Sequence, residues 1–483
     1  MNTMTQKFDD IIIGRGAAAF SAAIKLTEIS GGEDSIAMIG SGPMGGTCVN
    51  VGCVPSKYLL EASHSLYYPA HPLFTGIGKT HPKLDFGSMM SGLRELVARQ
   101  RRDKYETVID GYPNVSVFEG KARFISPQEV EIISRAESND GHSGVTYAAD
   151  RILVATGSRP TAPPIEGLDA VNYMTSDTVW NLNERPDRLT VIGGGAIGLE
   201  LGQAFSHFGT EVSVVESMPR IMSQADGDIS DLLQRRLESE GMKFYIKARI
   251  NRVRKKGDEQ ITEVITAAGR SEVRSDALLV ATGRAPNTEL LNLEAAKVAT
   301  DSRGFIKTDS SMRTTNPSIY AAGDCISKKL MLETLAGREG VVAASNMLGH
   351  PMQIDYAAAP WAVFTSPQIA AVGLTEEEVT RMLGSCSVSS LSLDRVPKAG
   401  ILNDTEGLVK LVANPLNNKI VGAQLLAPLA TEYIMEAATA VKLGLTYDDI
   451  INTTHVFPTL AESIKIASQA FVRDVETMSC CVE

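Results

Sequence analysis

The chain lacks any apolar run long enough to span a bilayer, any long block of lysine or arginine, and all but six cysteines in its 483 residues. Each absence excludes something. Without a span-length apolar run there is no membrane helix to expect, and the opening MNTMTQKFDD lacks the charged-then-apolar layout of a secretory leader. A cytoplasmic location is therefore expected. A formal net charge of −11 with no basic cluster gives no electrostatic reason to expect nucleic acid or an anionic membrane as partner. The short stretch 101–104 reads as a solvated helix face. The cysteines are too few and too unevenly placed for a structural disulfide framework. Two of them nevertheless form a close pair, Cys48 and Cys53, and two stand adjacent, Cys480 and Cys481. In a reducing compartment, paired cysteines point to redox or metal chemistry.

What the chain has in abundance is glycine, 41 residues, in a length that calls for two to four domains. The strand-like run 8–13 meets Gly14-Arg15-Gly16-Ala17-Ala18-Ala19 and then an Ala-rich helical stretch, 20–29. The same grammar returns as strand 189–192, Gly193-Gly194-Gly195-Ala196-Ile197-Gly198, helix 199–208 and strand 211–215. Such turns let the backbone approach a pyrophosphate whose charge then rests on a helix N-terminus. Two of them, each after a strand, predict two dinucleotide folds. ILVATGSRP (152–160) and LLVATGRAP (278–286) mark crossings between those folds. In the first copy Ala19 stands for the third glycine, and the acid expected to hold the ribose is missing, because strand 35–39 runs into Gly40. That ribose contact has no assignment. In the second copy Glu216 follows strand 211–215, and a carboxylate there accepts ribose hydroxyls and repels a 2′-phosphate, which favours NADH. Arg220, four residues later, is the residue that would face such a phosphate.

After about residue 345 the texture becomes strand-rich (361–373, 407–415, 419–427), with helical stretches at 429–443 and 460–475. The expected fold is thus α/β. Two Rossmann-like dinucleotide-binding domains are joined to a C-terminal α+β dimerisation domain: FAD on 1–156 and 281–345, NAD(P) on 157–280, dimerisation on 346–483.

The sharpest signal is GGTCVNVGCVPSK, residues 45–57. A half metal site and two buried thiols are the alternatives to a redox pair. No second CxxC or His pair nearby completes four ligands, and Lys57 with a helix start at Pro55 would lower a thiol pKa. This motif and YAAGDC (320–325) closely resemble those of the pyridine nucleotide–disulfide oxidoreductases, and the likeness covers nearly the whole chain. The resemblance implies FAD, a nicotinamide donor and a homodimer sharing its active sites. It implies that Cys53 is the thiol beside the flavin, that Cys48 is the interchange thiol, that Lys57 pairs with Glu200 near the flavin, and that Asp324 contacts the ribityl chain. The remaining cofactor positions it implies are Gly14, Gly16, Ala19, Gly46, Thr47, Thr156, Gly157, Gly193, Gly195, Gly198, Glu216, Gly283, Arg284 and Gly323.

Disulfide-reducing members of that family place His directly before Pro-Thr, so that the partner subunit supplies a base. Here the segment reads His455-Val456-Phe457-Pro458-Thr459-Leu460-Ala461-Glu462. Phe457 cannot take a proton, and members that reduce mercuric ion are similar in placing Phe there. Cys480-Cys481 resembles their C-terminal thiol pair, which captures a thiophilic metal and hands it inward. Vicinal cysteines are poorly placed to bridge each other. The expectation is Hg(II), as thiol complexes, delivered by Cys480/Cys481 to Cys48/Cys53, with Tyr173 near that inner site. NADPH is the donor the resemblance implies, against the NADH that Glu216 favours. Thr459 departs from the tyrosine those members carry. His455 is expected to be structural, and Cys325 and Cys386 to be buried thiols. With the first flavin strand beginning at Phe8, no separate N-terminal metal-binding domain is expected. The alternative is a dihydrolipoamide dehydrogenase-like disulfide reductase.

Overall fold

The computed structural model describes residues 5–133 and 145–477, which form two compact units. One draws on Met1–Pro55, Ser91–Thr161 and Gly283–Asp355, the other on Ser56–Met90, Ala162–Thr282 and Tyr356–Glu483. The second dinucleotide fold and the C-terminal sheet thus fall in one unit.

The first unit is built on a parallel sheet with strand order Ile319–Ala321, Arg151–Val154, Asp10–Ile13, Ile36–Gly40, Val115–Glu119. Beyond the Asp10–Arg151 ion pair at their starts (2.7 Å), its central strands are apolar, as strands covered on both faces must be, and Ile11, Met38 and Leu153 are completely buried. The first strand starts at Asp10 rather than Phe8. The chain before it belongs to a second sheet, where Thr5–Lys7 pairs with Thr146–Ala148. At the end of the strand Gly14 adopts φ +140°, and a Cβ there would lie 2.1 Å from the Ala155 carbonyl oxygen, so only glycine can turn under the neighbouring strand. Helix Ala17–Ser30 follows with no side chain capping its first turn. Its amides are therefore open to an anionic ligand.

In the second unit the same device recurs. The parallel order is Lys243–Tyr245, Glu211–Val215, Arg188–Ile192, Ala277–Val280. Gly193 has φ +111°, with a would-be Cβ 2.4 Å from the Ala281 oxygen. Helix Ala196–His207 is again uncapped by any side chain. An antiparallel meander, Arg249–Lys256, Glu259–Thr266 and Gly269–Ser275, forms a separate sheet in the same unit. The C-terminal sheet is antiparallel, in the order Trp361–Val363, Gln368–Gly373, Ile420–Ala427, Leu408–Ala413, Ser387–Ser392. Helices Ala430–Leu443 and Glu462–Gln469 pack on it through Ile434, Ala437, Ile464 and Ala467. The last helix is shorter than expected, ending at Gln469, with a separate 3-10 turn at Val475–Thr477. The architecture is α/β: two Rossmann-like folds and an α+β C-terminal domain. Among the described residues no helix is long and apolar enough to cross a membrane.

Helix Ala17–Ser30 lies against helix Glu333–Met347 within the first unit. A Cβ on Gly340 would sit 2.2 Å from the Ala18 backbone oxygen, whereas one on Gly337 would meet only the Ser21 hydroxyl, at 3.1 Å. Gly340→Ala should therefore cost roughly 1–3 kcal/mol of stability through overpacking. Gly337→Ala should cost clearly less, as read by paired denaturant titrations.

Candidate active site

Residues 45–57 form two helices, Gly46–Val51 and Cys53–Ala70, that meet at Gly52. The second helix starts at Cys53, two residues before the expected start at Pro55. A Cβ on Gly52 would lie 2.9 Å from the Thr47 oxygen and 3.1 Å from Cys48 Cα. With no side chain there, Cys53 can fold back to hydrogen-bonding range of Cys48. Neither forms a disulfide; Cys48 is half-buried and Cys53 exposed.

Two residues that local pattern did not flag complete this corner of the first unit. The Cys48 thiol donates to Glu333 Oε2 at 2.7 Å, and the Tyr105 hydroxyl donates to Glu333 Oε1 at 3.0 Å. Glu333 opens helix Glu333–Met347, 285 positions from Cys48 in sequence. Tyr105 is held edge-on against Phe20, 5.1 Å between ring centroids. The hydrogen bond to Cys53, burial, and the neighbouring Cys53 and Glu333 groups push the Cys48 thiol well above its ordinary pKa. This is opposite to the lowering expected from Lys57 and a helix start.

The other FAD-type positions gather at the carboxyl ends of the first parallel sheet, where such folds bind ligand. Gly14 and Gly16 form the turn, Ala19 is fully buried beneath it, and a Cβ on Gly46 would come within 2.7 Å of Gly16 Cα. Thr47 follows Gly46 in the same short helix. Thr156 and Gly157 are tied to Asn287, which donates to both carbonyls at 3.0 Å. Asp324 accepts from Ser158 at 3.3 Å, and Ser158 is gripped by Arg284 at 2.8 Å. Gly323 donates to the buried Glu339, itself paired with Lys328 at 2.9 Å. An uncapped helix, a turn in which Gly14 and the neighbouring Gly46 leave no room for a Cβ, and an Arg15 Nε buried without a partner form a cradle that fits an FAD pyrophosphate and adenosine.

In the second unit Lys57 Nζ pairs with Glu200 Oε2 at 2.6 Å, and Glu200 Oε1 accepts the Phe364 amide at 2.9 Å. Lys57 also lies 4.3 Å from the Phe364 ring centroid. Glu216 Oε2 accepts from the Gly194 amide at 2.6 Å, which sets it beside the turn Gly193–Gly195. A Cβ on Gly198 would meet the Gly193 oxygen at 2.1 Å, so this helix packs tightly on the turn. Arg220 points to Asp231, 3.4 Å away. Tyr173 packs against the apolar cluster of Val171, Ile192 and Leu278. Gly283, with φ +138°, starts the return segment of the first unit.

Phe457 is 53% exposed. Thr459 is absorbed structurally: its hydroxyl donates to the Val456 carbonyl at 2.8 Å and accepts the Glu462 amide at 3.2 Å. His455 contacts Glu436 at 2.7 Å and the Thr453 carbonyl at 2.9 Å, the pattern of a structural histidine. Burial raises the Glu462 carboxyl, and its Oε2 has no partner. Cys325 is fully buried, but Cys386 is only half-buried and accepts the Thr380 hydroxyl at 3.2 Å, so the expectation of a buried thiol fails there. Cys480 and Cys481 lie outside the described residues. Among the described residues no group of three or more His, Cys, Asp or Glu side chains is placed to hold a metal ion.

Two dinucleotide folds and a dithiol centre at the join of two helices define a nucleotide-dependent oxidoreductase. The chain belongs to the pyridine nucleotide-disulphide oxidoreductase family, whose profile matches residues 8–340, with the family's dimerisation domain at 359–468. That membership carries FAD and NAD(P)H as cofactors. Mercuric reductases are similar along nearly the whole chain. The Lysinibacillus sphaericus protein is 37% identical over 98% of this chain and 84% of its own length, and the Streptomyces lividans protein 38% identical over 98% of each. Among solved structures, the Cu(II) complex of the HOCl-induced flavoprotein disulfide reductase RclA from Escherichia coli has a TM-score of 0.83 at 26% identity. It covers 96% of this chain and 99% of that one. LpdA from Mycobacterium tuberculosis has a TM-score of 0.84 at 26% identity, covering 96% and 99%.

Because Glu333 accepts from Cys48 and its charge disfavours the thiolate, Glu333→Gln should lower the Cys48 pKa. The pH profile for alkylation of Cys48 in reduced enzyme should then move to lower pH, measured by mass spectrometry of the labelled peptide.

Proposed function

We propose that this chain is a mercuric reductase, which converts Hg(II) and NAD(P)H to Hg(0), NAD(P)+ and a proton at Cys48/Cys53. The observation that carries this reading is a dithiol centre in a chain whose usual histidine position is Phe457. Soft thiolates select thiophilic metals, and an apolar ring cannot protonate a leaving thiol in disulfide exchange. The similarity to mercuric reductases along the whole chain supports it. FAD, when bound, supplies the electron-pair relay from NAD(P)H to the cysteine pair.

In this reading Cys48 and Cys53 each lose a proton as they bind Hg(II), and Glu333 is placed to receive that of Cys48. With FAD bound, Lys57, held by Glu200, would supply a fixed cation to the flavin, and Asp324 would accept from the ribityl chain. Gly14, Gly16, Ala19, Gly46, Thr47, Thr156, Gly157, Gly323 and Arg284 frame FAD. Gly193, Gly195 and Gly198 frame the nicotinamide nucleotide, with Gly283 at the chain crossing. Tyr173 borders the inner metal site. Cys480 and Cys481 of the partner subunit receive Hg(II) from small-thiol complexes and deliver it inward. The dimer would cover Met435, Leu443, Val456 and Phe457, apolar side chains left exposed on the C-terminal domain. Cytoplasmic location suits a thiol-supplied substrate.

The direct test compares Hg(II), lipoamide and glutathione disulfide as acceptors, with wild type and Phe457→His. Wild type should turn over Hg(II) and neither disulfide appreciably. Phe457→His should gain disulfide reduction, since a general base typically contributes about 10²-fold or more. Efficient disulfide reduction by wild type would favour the second reading, a lipoamide-type reductase, for which the Glu462 carboxylate near His455, its Oε2 buried without a partner, is the specific observation. Loss of Cys480 and Cys481 should slow turnover at limiting Hg(II) while leaving FAD content intact.

NADH is the proposed donor, because Glu216 stands beside the Gly193–Gly195 turn, where a carboxylate would accept ribose hydroxyls, and Arg220 is engaged by Asp231. Wild type should show a lower KM for NADH than for NADPH. Glu216→Ala should narrow that gap by about tenfold, the worth of one charged hydrogen bond, as read from paired kcat/KM values.

A further inference from the structure

The two dinucleotide folds fill the same corner in opposite ways. In the second fold the turn's middle residue is Gly194 and the strand is followed by Glu216; a Cβ on Gly194 would lie 3.3 Å from Glu216 Cβ. The turn is small there so that the acid has room. In the first fold the middle residue is Arg15 and the strand ends in Gly40. A Cβ on Gly40 would lie 2.8 Å from Arg15 Cγ, so the bulk has changed sides and no side chain can grow from residue 40 past Arg15.

Arg15 crosses over Gly40 to the next strand. Its guanidinium pairs with Glu119 Oε2, and Glu119 is the register partner of Gly40 across the parallel pair. Glu119 Oε1 also accepts the Gly42 amide at 3.3 Å. The carboxylate thereby stands one strand further out, on the carboxyl edge of the sheet that carries the Gly14–Gly16 turn. The Arg15 side chain is 11% exposed and that of Glu119 58%, so the cation is covered and the anion open. An ionised carboxylate offers about four acceptor positions, and these two contacts leave others free. Arg15 Nε, buried and without a partner, offers one donor at the same corner. An ordinary exposed ion pair would contribute little and would not require a glycine beneath it.

We propose that Glu119, held by Arg15, is the acid that accepts the adenosine ribose hydroxyls of FAD in this chain, in place of a residue at the end of strand Ile36–Gly40. The ribose hydroxyls donate to Glu119, and Arg15 fixes its orientation.

The test is the rate of flavin release from diluted holoenzyme, followed by flavin fluorescence. Holoenzyme is loaded with FAD or with an analogue carrying 2′,3′-dideoxyadenosine. Wild type should release the analogue about tenfold or more faster than FAD. Glu119→Gln should release FAD faster by a similar factor and no longer distinguish the analogue. Adding Arg15→Gly and Gly40→Glu to Glu119→Gln rebuilds the second fold's arrangement and should restore both retention and discrimination. FAD release at the wild-type rate from Glu119→Gln, or persistent discrimination by that variant, would overturn the proposal. If Glu119→Gln yields no holoenzyme, the triple variant decides: failure to retain FAD there counts equally against it.

Discussion

The chemistry of this chain depends on there being no side chain at residue 52. Helix Gly46–Val51 and helix Cys53–Ala70 meet there so tightly that a single methyl would press on the Thr47 oxygen and on Cys48 itself. Because the join is this short, two cysteines five positions apart come within reach of each other. Helix Glu333–Met347, whose own position depends on Gly340 lying against Ala18, then brings Glu333 to Cys48, and Tyr105 holds the carboxylate from its other side. The thiol pair is therefore set by close packing before any cofactor chemistry begins.

The same economy of space shapes the nucleotide corners. Gly14 and Gly193 each pass under the end of a neighbouring strand, and both following helices leave their first amides uncapped by side chains. The folds differ in what fills the adjacent corner. One places Glu216 against Gly194; the other places Arg15 over Gly40 and borrows Glu119 from the next strand. Duplicated folds need only preserve the backbone path, and the polar groups that fill the adjacent corner differ between them.

Much of this was legible in the sequence. Strand–glycine–helix grammar located both dinucleotide folds because those glycines answer to backbone sterics, which are local. The C-terminal sheet was legible from alternation and turn residues. Phe457 stands out only against the pattern of the family the chain resembles, as the residue before Pro458-Thr459. Glu333, Tyr105 and Glu119 were not legible, since each acquires its role from a contact with a residue far away in the chain, and none stands in a periodic or spaced pattern. The rise of the Cys48 pKa was also missed: Lys57 is close in sequence, but its ammonium is taken up by Glu200, and burial with Cys53 and Glu333 decides the thiol. Thr459 departs from the tyrosine of similar proteins, and its hydroxyl accepts the Glu462 amide at the start of helix Glu462–Gln469.

The central claim, that the dithiol centre reduces a metal ion rather than a disulfide, is tested most directly by counting product. Purified FAD enzyme with excess small thiol would be given limiting Hg(II), and the elemental mercury vapour released would be measured against NAD(P)H oxidised. The account predicts one Hg(0) per nucleotide, abolished when Cys48 or Cys53 is replaced by alanine. Nucleotide consumption without mercury vapour, or vapour production that survives loss of both cysteines, would contradict it.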